Sequence, residues 1–268
     1  MFMKEKEVAN MSRLLYADLY RMYCKKRFWL FVASMIVLAL MFIIMQYTAM
    51  DYVVSLDRVL FLPMSFYGVV IAALISLFVG DDFSDGVIRN KLIAGRHRSS
   101  IYMSNLVACW TACLTIYFFT IITTVGVGIH FFENNVTLEN LFVFLILGLF
   151  TCMALGSVFC MLSMLLANKA TSVMVCMGLA FCMLFLCLHT NQILMQQEYK
   201  NGVLNPHFVN GIWRVLYGIL HDINPMGQVA QLSAMEYFNS FRWICCDVFW
   251  VLVGVVFGNI VFQRKNIT

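Results

Sequence analysis

The sequence predicts an all-α integral membrane protein with six spanning helices, from its composition, the length of its apolar runs and the placement of its basic residues. Of 268 residues, 62% are apolar and only 12% are charged, against roughly 25% charged in soluble domains. So few polar residues cannot cover a water-facing surface, and much of the chain must face lipid. A spanning helix needs about 20 mostly apolar residues. Runs of that kind fall near 28–48, 59–80, 103–129, 141–166, 170–188 and 241–262. The third and fourth are long enough to tilt or protrude. Only Ala167, Asn168 and Lys169 separate the fourth from the fifth, which predicts a tight helical hairpin.

Basic residues set direction, because they accumulate in cytoplasmic loops. Before the first span lie Lys4, Lys6, Arg13, Arg21, Lys25, Lys26 and Arg27; the loop 81–100 carries Arg89, Lys91, Arg96 and Arg98; Lys169, Arg264 and Lys265 complete 14 of the 18 Lys and Arg. The alternate loops hold only Arg58, Lys200, Arg214 and Arg242. Both termini are therefore expected in the cytoplasm, in agreement with an even number of spans. The first run exceeds a signal-peptide core and no small-residue cleavage site follows it, so it reads as a retained span.

Three segments outside the spans carry structure of their own. In 12–27, Leu15, Leu19, Met22 and Tyr23 share one helical face, with Asp18, Arg21 and Lys25 opposite. That pattern predicts an interfacial elbow helix with its apolar side in lipid, or an extension of the first span. In 81–100, Asp81, Asp82 and Asp85 precede Arg89 and Lys91, and Gly95 can stop a short helix over 82–94. The charge order suits a helix dipole, and Val87, Ile88 and Leu92 supply an apolar stripe; the alternative is a solvated basic loop that only fixes topology. The segment 189–240 is expected outside. Asn205-Pro206 and Asn224-Pro225 each read as a helix start, with Asn as cap and Pro at the first position. Phe208, Ile212, Val215, Leu216 and Ile219, then Met226, Val229, Ala230 and Leu232, give two short apolar helices. They predict re-entrant or lid elements covered by the spans or by a second copy, or else a folded loop lying on the membrane.

Little points to chemistry. Nine of ten cysteines (Cys109, Cys113, Cys152, Cys160, Cys176, Cys182, Cys187, Cys245 and Cys246) lie in apolar runs and Cys24 in a basic stretch, which predicts reduced, packed thiols. No Cys/His spacing suits zinc. There is no phosphate-binding G-x-x-x-x-G-K-[ST] loop and no His-Glu-x-x-His, so the chain is not expected to be an enzyme. Asp247 is the one acid clearly inside a span, and an ionisable group there is a functional candidate by default; pairing with the outer segment is the simpler expectation. Thr111, Thr115, Thr120, Thr123 and Thr124 are expected to bond back to their own helix. The 24 Phe and 19 Met suit lipid-facing packing, or a flexible surface for apolar cargo.

Taken together and in order, these features resemble the membrane subunits of type-2 ATP-binding-cassette exporters, bacterial peptide and antimicrobial exporters among them. The most specific stretch is FSDGVIRNKLIAGRHRSSIYMSNL (83–106), similar to that family's loop between the second and third spans; NPHFVNGIWRVLYGILHDINPMGQ (205–228) and VFQRKNIT (261–268) add support. The resemblance implies a bacterial cell-membrane protein that pairs with a second membrane chain, identical or a close paralogue. It implies two separate ATPase subunits, which hold the ATP and Mg, and no cofactor in this chain. It assigns ATPase coupling to Asp82, Phe83, Asp85, Val87, Ile88, Arg89, Lys91 and Leu92, and a hydrophobic or amphipathic cargo, most readily a peptide, to the path between membrane chains. No nucleic-acid partner is expected. Two further classes stay open. One is an accessory peptide-binding, immunity or sensing protein. The other is a secondary transporter, for which Asp247 is the only candidate charge.

Overall fold

The computed structural model describes residues 2–49, 55–133, 138–200, 203–206, 208–235 and 239–265; for 2–10, 138, 199–200 and 203–204 it describes the backbone alone. Residues 201–202, 207 and 236–238 of the outer segment and 266–268 of the terminal stretch lie outside the described residues.

The elements run α1 (Phe2–Cys24), α2 (Lys26–Ala49), α3 (Asp57–Leu60), a 3-10 turn (Leu62–Phe66), α4 (Tyr67–Ser84), α5 (Val87–Ile93), α6 (Arg98–Gly128), α7 (Leu138–Leu165) and α8 (Lys169–Leu194). A small antiparallel hairpin follows, β1 (Tyr199–Lys200) with β2 (Val203–Leu204), then α9 (Ile212–Ile223) and α10 (Pro225–Ala234). The last span is α11 (Ser240–Leu252), a π-helical turn (Val253–Phe257) and α12 (Gly258–Arg264). Among the described residues six helical segments are long and apolar enough to cross a membrane: Lys26–Ala49, Asp57–Ser84, Arg98–Gly128, Glu139–Leu165, Lys169–Leu194 and Ser240–Arg264. The architecture is that of an all-α, multi-pass membrane protein.

The segment containing α4 is the axle of the bundle. Its most apolar stretch is 67% buried, against 22% for α8 and 17% for the last span. A helix that is apolar all round belongs in an interior, and Tyr67, Ile71, Ile75, Phe78 and Val79 of α4 are all buried. Peripheral helices instead leave Met41, Phe118, Phe185 and Phe249 exposed, as a hydrocarbon solvent allows. Lipid tails are as apolar as Leu, so the helices associate through close packing and interhelical hydrogen bonds. Gly254 and Gly258 show this: a Cβ would fall 2.7 Å from Ser157 Cβ at the first and 2.0 Å from Tyr102 Oη at the second. The Tyr102 hydroxyl donates to Gly254 O at 2.5 Å, satisfying a carbonyl in the π turn.

The five threonines of α6 do bond backwards, at 2.7–2.9 Å, to Ala108, Thr111, Ile116, Phe119 and Thr120 carbonyls. Asn168 caps α8 by accepting from Ala170 N, and Asn224 caps α10 by accepting from Met226 N, with Pro225 behind it.

Four sequence expectations need correction. Asn205-Pro206 starts no helix. The Asn205 amide instead donates to Gln196 Oε1 and Gln197 O beside the hairpin, and α9 begins only after Gly211, whose φ of 69° suits glycine. Asp81 and Asp82 do not open the short helix. They end α4, and the chain then turns at Gly86 (φ 68°) into α5, which stops at Gly95 (φ 76°). In α1 the face carrying Leu14, Asp18 and Met22 is enclosed, with Leu19 and Tyr23 partly buried against the core and Tyr16 and Tyr20 exposed, so the helix packs on the bundle and takes Asp18 inside instead of laying its apolar side in lipid. Finally, Cys24, Cys182 and Cys245 are exposed, unlike the six buried thiols at 109, 113, 152, 160, 176 and 187.

Candidate functional site

At the end of the bundle where α2, α6 and α8 begin and α4, α7 and α12 finish, three carboxylates and five cations form one ionic junction. Its sequence logic starts with a conflict. Asp81 and Asp82 sit in the last turn of α4, where the helix dipole disfavours negative charge. Cations from four other segments offset that. Asp81 accepts from Lys25 (2.9 Å), Arg27 (2.9 Å) and Lys169 (2.7 Å), which ties α4 to the α1–α2 bend and to the start of α8. Gly80 lets α8 approach, since a Cβ there would meet Lys169 Cγ at 2.9 Å. Asp82, 1% exposed, accepts from Arg21 at 2.7 Å.

Asp18 is the second node and is wholly buried. It accepts from Arg21 (2.9 Å), Lys91 (2.6 Å) and Ser104 (2.6 Å), so one carboxylate joins α1, α5 and α6. Burial works against the charge of Arg21, but Asp82 and Asp18 outweigh it and raise its pKa. Buried ion pairs of this kind hold only when each charge is matched and hydrogen-bonded. The Phe78 ring lies under Arg21 and Lys25, at 6.0 and 5.6 Å.

The end of α12 is strapped to the same place. Arg98 donates to Gln263 O at 3.0 Å. Lys265 donates to Met164 O at 3.0 Å and stands 4.3 Å from the centre of the Phe83 ring. Burial lowers the Lys265 pKa to about 8.

The structure divides the residues singled out for coupling into two groups. Asp82, Ile88, Lys91 and Leu92 face the chain itself: Asp82 and Ile88 are buried, Lys91 pairs with Asp18, and Leu92 packs on the core. Phe83 is partly buried under Lys265, and Val87 is half-exposed. Asp85 and Arg89 point outward, together with Asn90 and Ile93, the last 75% exposed. The face open to a partner is therefore Asp85, Arg89, Asn90 and Ile93, and the stripe Ile88–Leu92 is used internally. Sequence reasoning missed Asp18, Arg21, Ser104 and Lys169 as members of the site. A single acid among the buried positions of an amphipathic helix, at 14, 18 and 22, was the available signal.

A scan against protein-family models and a search of curated proteins both return no match.

Asp247 lies toward the opposite end, in α11, and is fully buried. Its Oδ2 is 3.2 Å from Thr151 Oγ1 of α7, and Trp243 Nε1 donates to that same hydroxyl at 2.8 Å. Gln228 of α10 lies beside it. Nearby, Asp222 of α9 pairs with Arg242 and accepts from Gln231 at 2.8 Å. His221 shares a 2.8 Å hydrogen bond with Thr190 of α8. Burial lowers the His221 pKa, with Asp222 opposing. This ties α10 into the bundle, while α9 leaves Ile212, Trp213, Val215 and Leu216 exposed. Among the described residues, no group of three or more His, Cys, Asp or Glu side chains is placed to hold a metal ion.

Proposed function

We propose that this chain is the membrane subunit of an ATP-driven exporter whose ATPase is a separate polypeptide. The observation that carries this reading is the mounting of α5. A seven-residue helix between two spans needs no buried ion pair merely to connect them. Lys91 nevertheless reaches Asp18 at 2.6 Å, and Asp18 is also held by Arg21 and Ser104. A push on α5 is thereby delivered to α1 and α6 together, and through Arg21 and Asp82 to the end of α4. The exposed strip Asp85, Arg89, Asn90 and Ile93 is where an ATPase would bear on it. In this reading the junction faces the cytoplasm of a bacterial cell, two membrane chains pair, and the cargo is hydrophobic or amphipathic. The sequence resemblance over 83–106 supports the same assignment.

The test uses exposed positions that the fold does not need. Arg89→Glu with Ile93→Asp is expected to abolish co-purification of a co-expressed cassette ATPase and to stop transport. Thermal stability should stay within about 0.5 kcal/mol, as for other surface substitutions. Unchanged ATPase binding and transport in this double variant would sink the proposal.

A further inference from the structure

The pocket around Asp247 lacks one proton if its carboxyl is ionised. Thr151 has a single hydroxyl proton and two acceptors for it, Leu147 O at 3.0 Å and Asp247 Oδ2 at 3.2 Å. The Trp243 N–H is already given to Thr151 Oγ1. The Gln228 amide N–H groups face Asp222 O at 2.9 Å and Trp243 O at 3.5 Å. That orientation leaves Gln228 Oε1 buried with no donor, and Asp247 Oδ1 is likewise buried with none. Two neighbouring buried acceptors are left without a donor, whereas the large majority of buried polar groups in native proteins are paired.

Among the described residues no cation is bonded to the Asp247 carboxyl. The titratable groups that sense the Asp247 charge are Cys152 from α7 and Cys246 from its own helix, and Cys246 also lies near the Asp222–Arg242 pair. Residues 225–234 of α10 and 253–257 of the π turn contribute none. The Arg242 guanidinium is engaged by Asp222. An unpaired carboxylate fully removed from water is among the costliest groups to bury.

We infer that Asp247 is a proton-binding site inside the bundle, occupied as the neutral acid, and that its proton latches α10 to the last span. The acid supplies the missing donor: Thr151 keeps its proton for Leu147 O, and the carboxyl O–H serves Thr151 Oγ1 or Gln228 Oε1. Release of the proton leaves an anion beside a bare amide oxygen, and α10 and α11 must separate or admit water. The inference does not depend on an ATPase partner.

Infrared difference spectroscopy on the full chain in lipid nanodiscs tests it. At pH 7.5 the wild-type-minus-Asp247→Asn spectrum is expected to contain the C=O stretch of a protonated carboxylic acid. Carboxylate bands in its place would overturn the assignment. Should Asp247→Asn fail to fold, Asp247→Glu decides: a shifted acid band supports the site, and a difference spectrum without an acid band refutes it. Hydrogen exchange reads the latch. Protection of α10 should fall as the wild type is taken to alkaline pH and stay level in Asp247→Asn; equal loss in both proteins would refute the latch.

Discussion

The two ends of the bundle treat buried acids in opposite ways. At the junction, Asp18, Asp81 and Asp82 are met by Arg21, Lys25, Arg27, Lys91 and Lys169, each carboxylate bonded to at least one cation. Toward the other end, among the described residues, Asp222 has one cation, Arg242, and Asp247 has none. Both arrangements answer the same cost of removing charge from water. The junction answers it with counter-charge drawn from segments far apart in sequence, which cross-links them. The opposite end answers it largely with neutral hydrogen bonds, from Gln231 to Asp222 and from Thr151 to Asp247, which join fewer segments.

The largest expected effect follows from removing the busiest charge. Asp18→Asn leaves Arg21 and Lys91 partly buried with one carboxylate fewer. Breaking a buried pair this way costs about 3–5 kcal/mol. Chemical unfolding in nanodiscs should show that loss, and a change below about 1 kcal/mol would mean the junction is no strut. Asp222→Asn should cost less, about 1–2 kcal/mol, because Arg242 is 37% exposed and recovers water. If Asp222→Asn proves the more damaging, the contrast between the ends is reversed.

Acidification sharpens the comparison further. The folded-state pKa of His221 is depressed by burial, so the folded protein binds that proton less readily than the unfolded chain. Its contribution is intact above the ordinary value of about 6.5 and is lost as pH falls from there through the folded value. Thermal unfolding at pH 7.5 and 5.5 should show a drop that His221→Gln lessens, and an identical drop in both would remove His221 as its source. The smallest effect is reserved for Lys169→Gln. Lys169 is 36% exposed and Asp81 keeps Lys25 and Arg27, so the loss should be about 0–1 kcal/mol.

Local pattern carried much of the fold. The six apolar runs, the Asn224-Pro225 cap, the Gly95 stop and the back-bonded threonines of α6 each depend on neighbours within a few residues. The junction depends on pairs such as Lys91 with Asp18 and Lys25 with Asp81, separated by 73 and 56 residues, and periodicity holds no record of those. The same blindness misplaced Asp81 and Asp82. Their charge argued locally for a helix start, whereas remote cations allow them at a helix end. It also sent Ile88 and Leu92 outward, because an apolar stripe looks alike whether it meets a partner or the chain's own core. Asp247 was visible as a lone acid in a span, but Gln228, its neighbour with an orphaned oxygen, was not.

The π turn in the last span has a consequence for rotation. The buried positions there are Trp243, Asp247, Gly254, Gly258 and Phe262. Along an unbroken α-helix, turning about 100° per residue, that series would drift by about 100°, swinging Phe262 away from Tyr102. The extra residue per turn at 253–257 absorbs the drift, so Asp247 stays seated on α7 while Phe262 stays 5.8 Å from the Tyr102 ring. Gly254 and the Tyr102 hydroxyl hold the wide turn open. Tightening it to an α turn would twist one half of the span against the other by about 100° and advance it along the axis by about 1.5 Å, one residue's rise, as a screw turns in its thread.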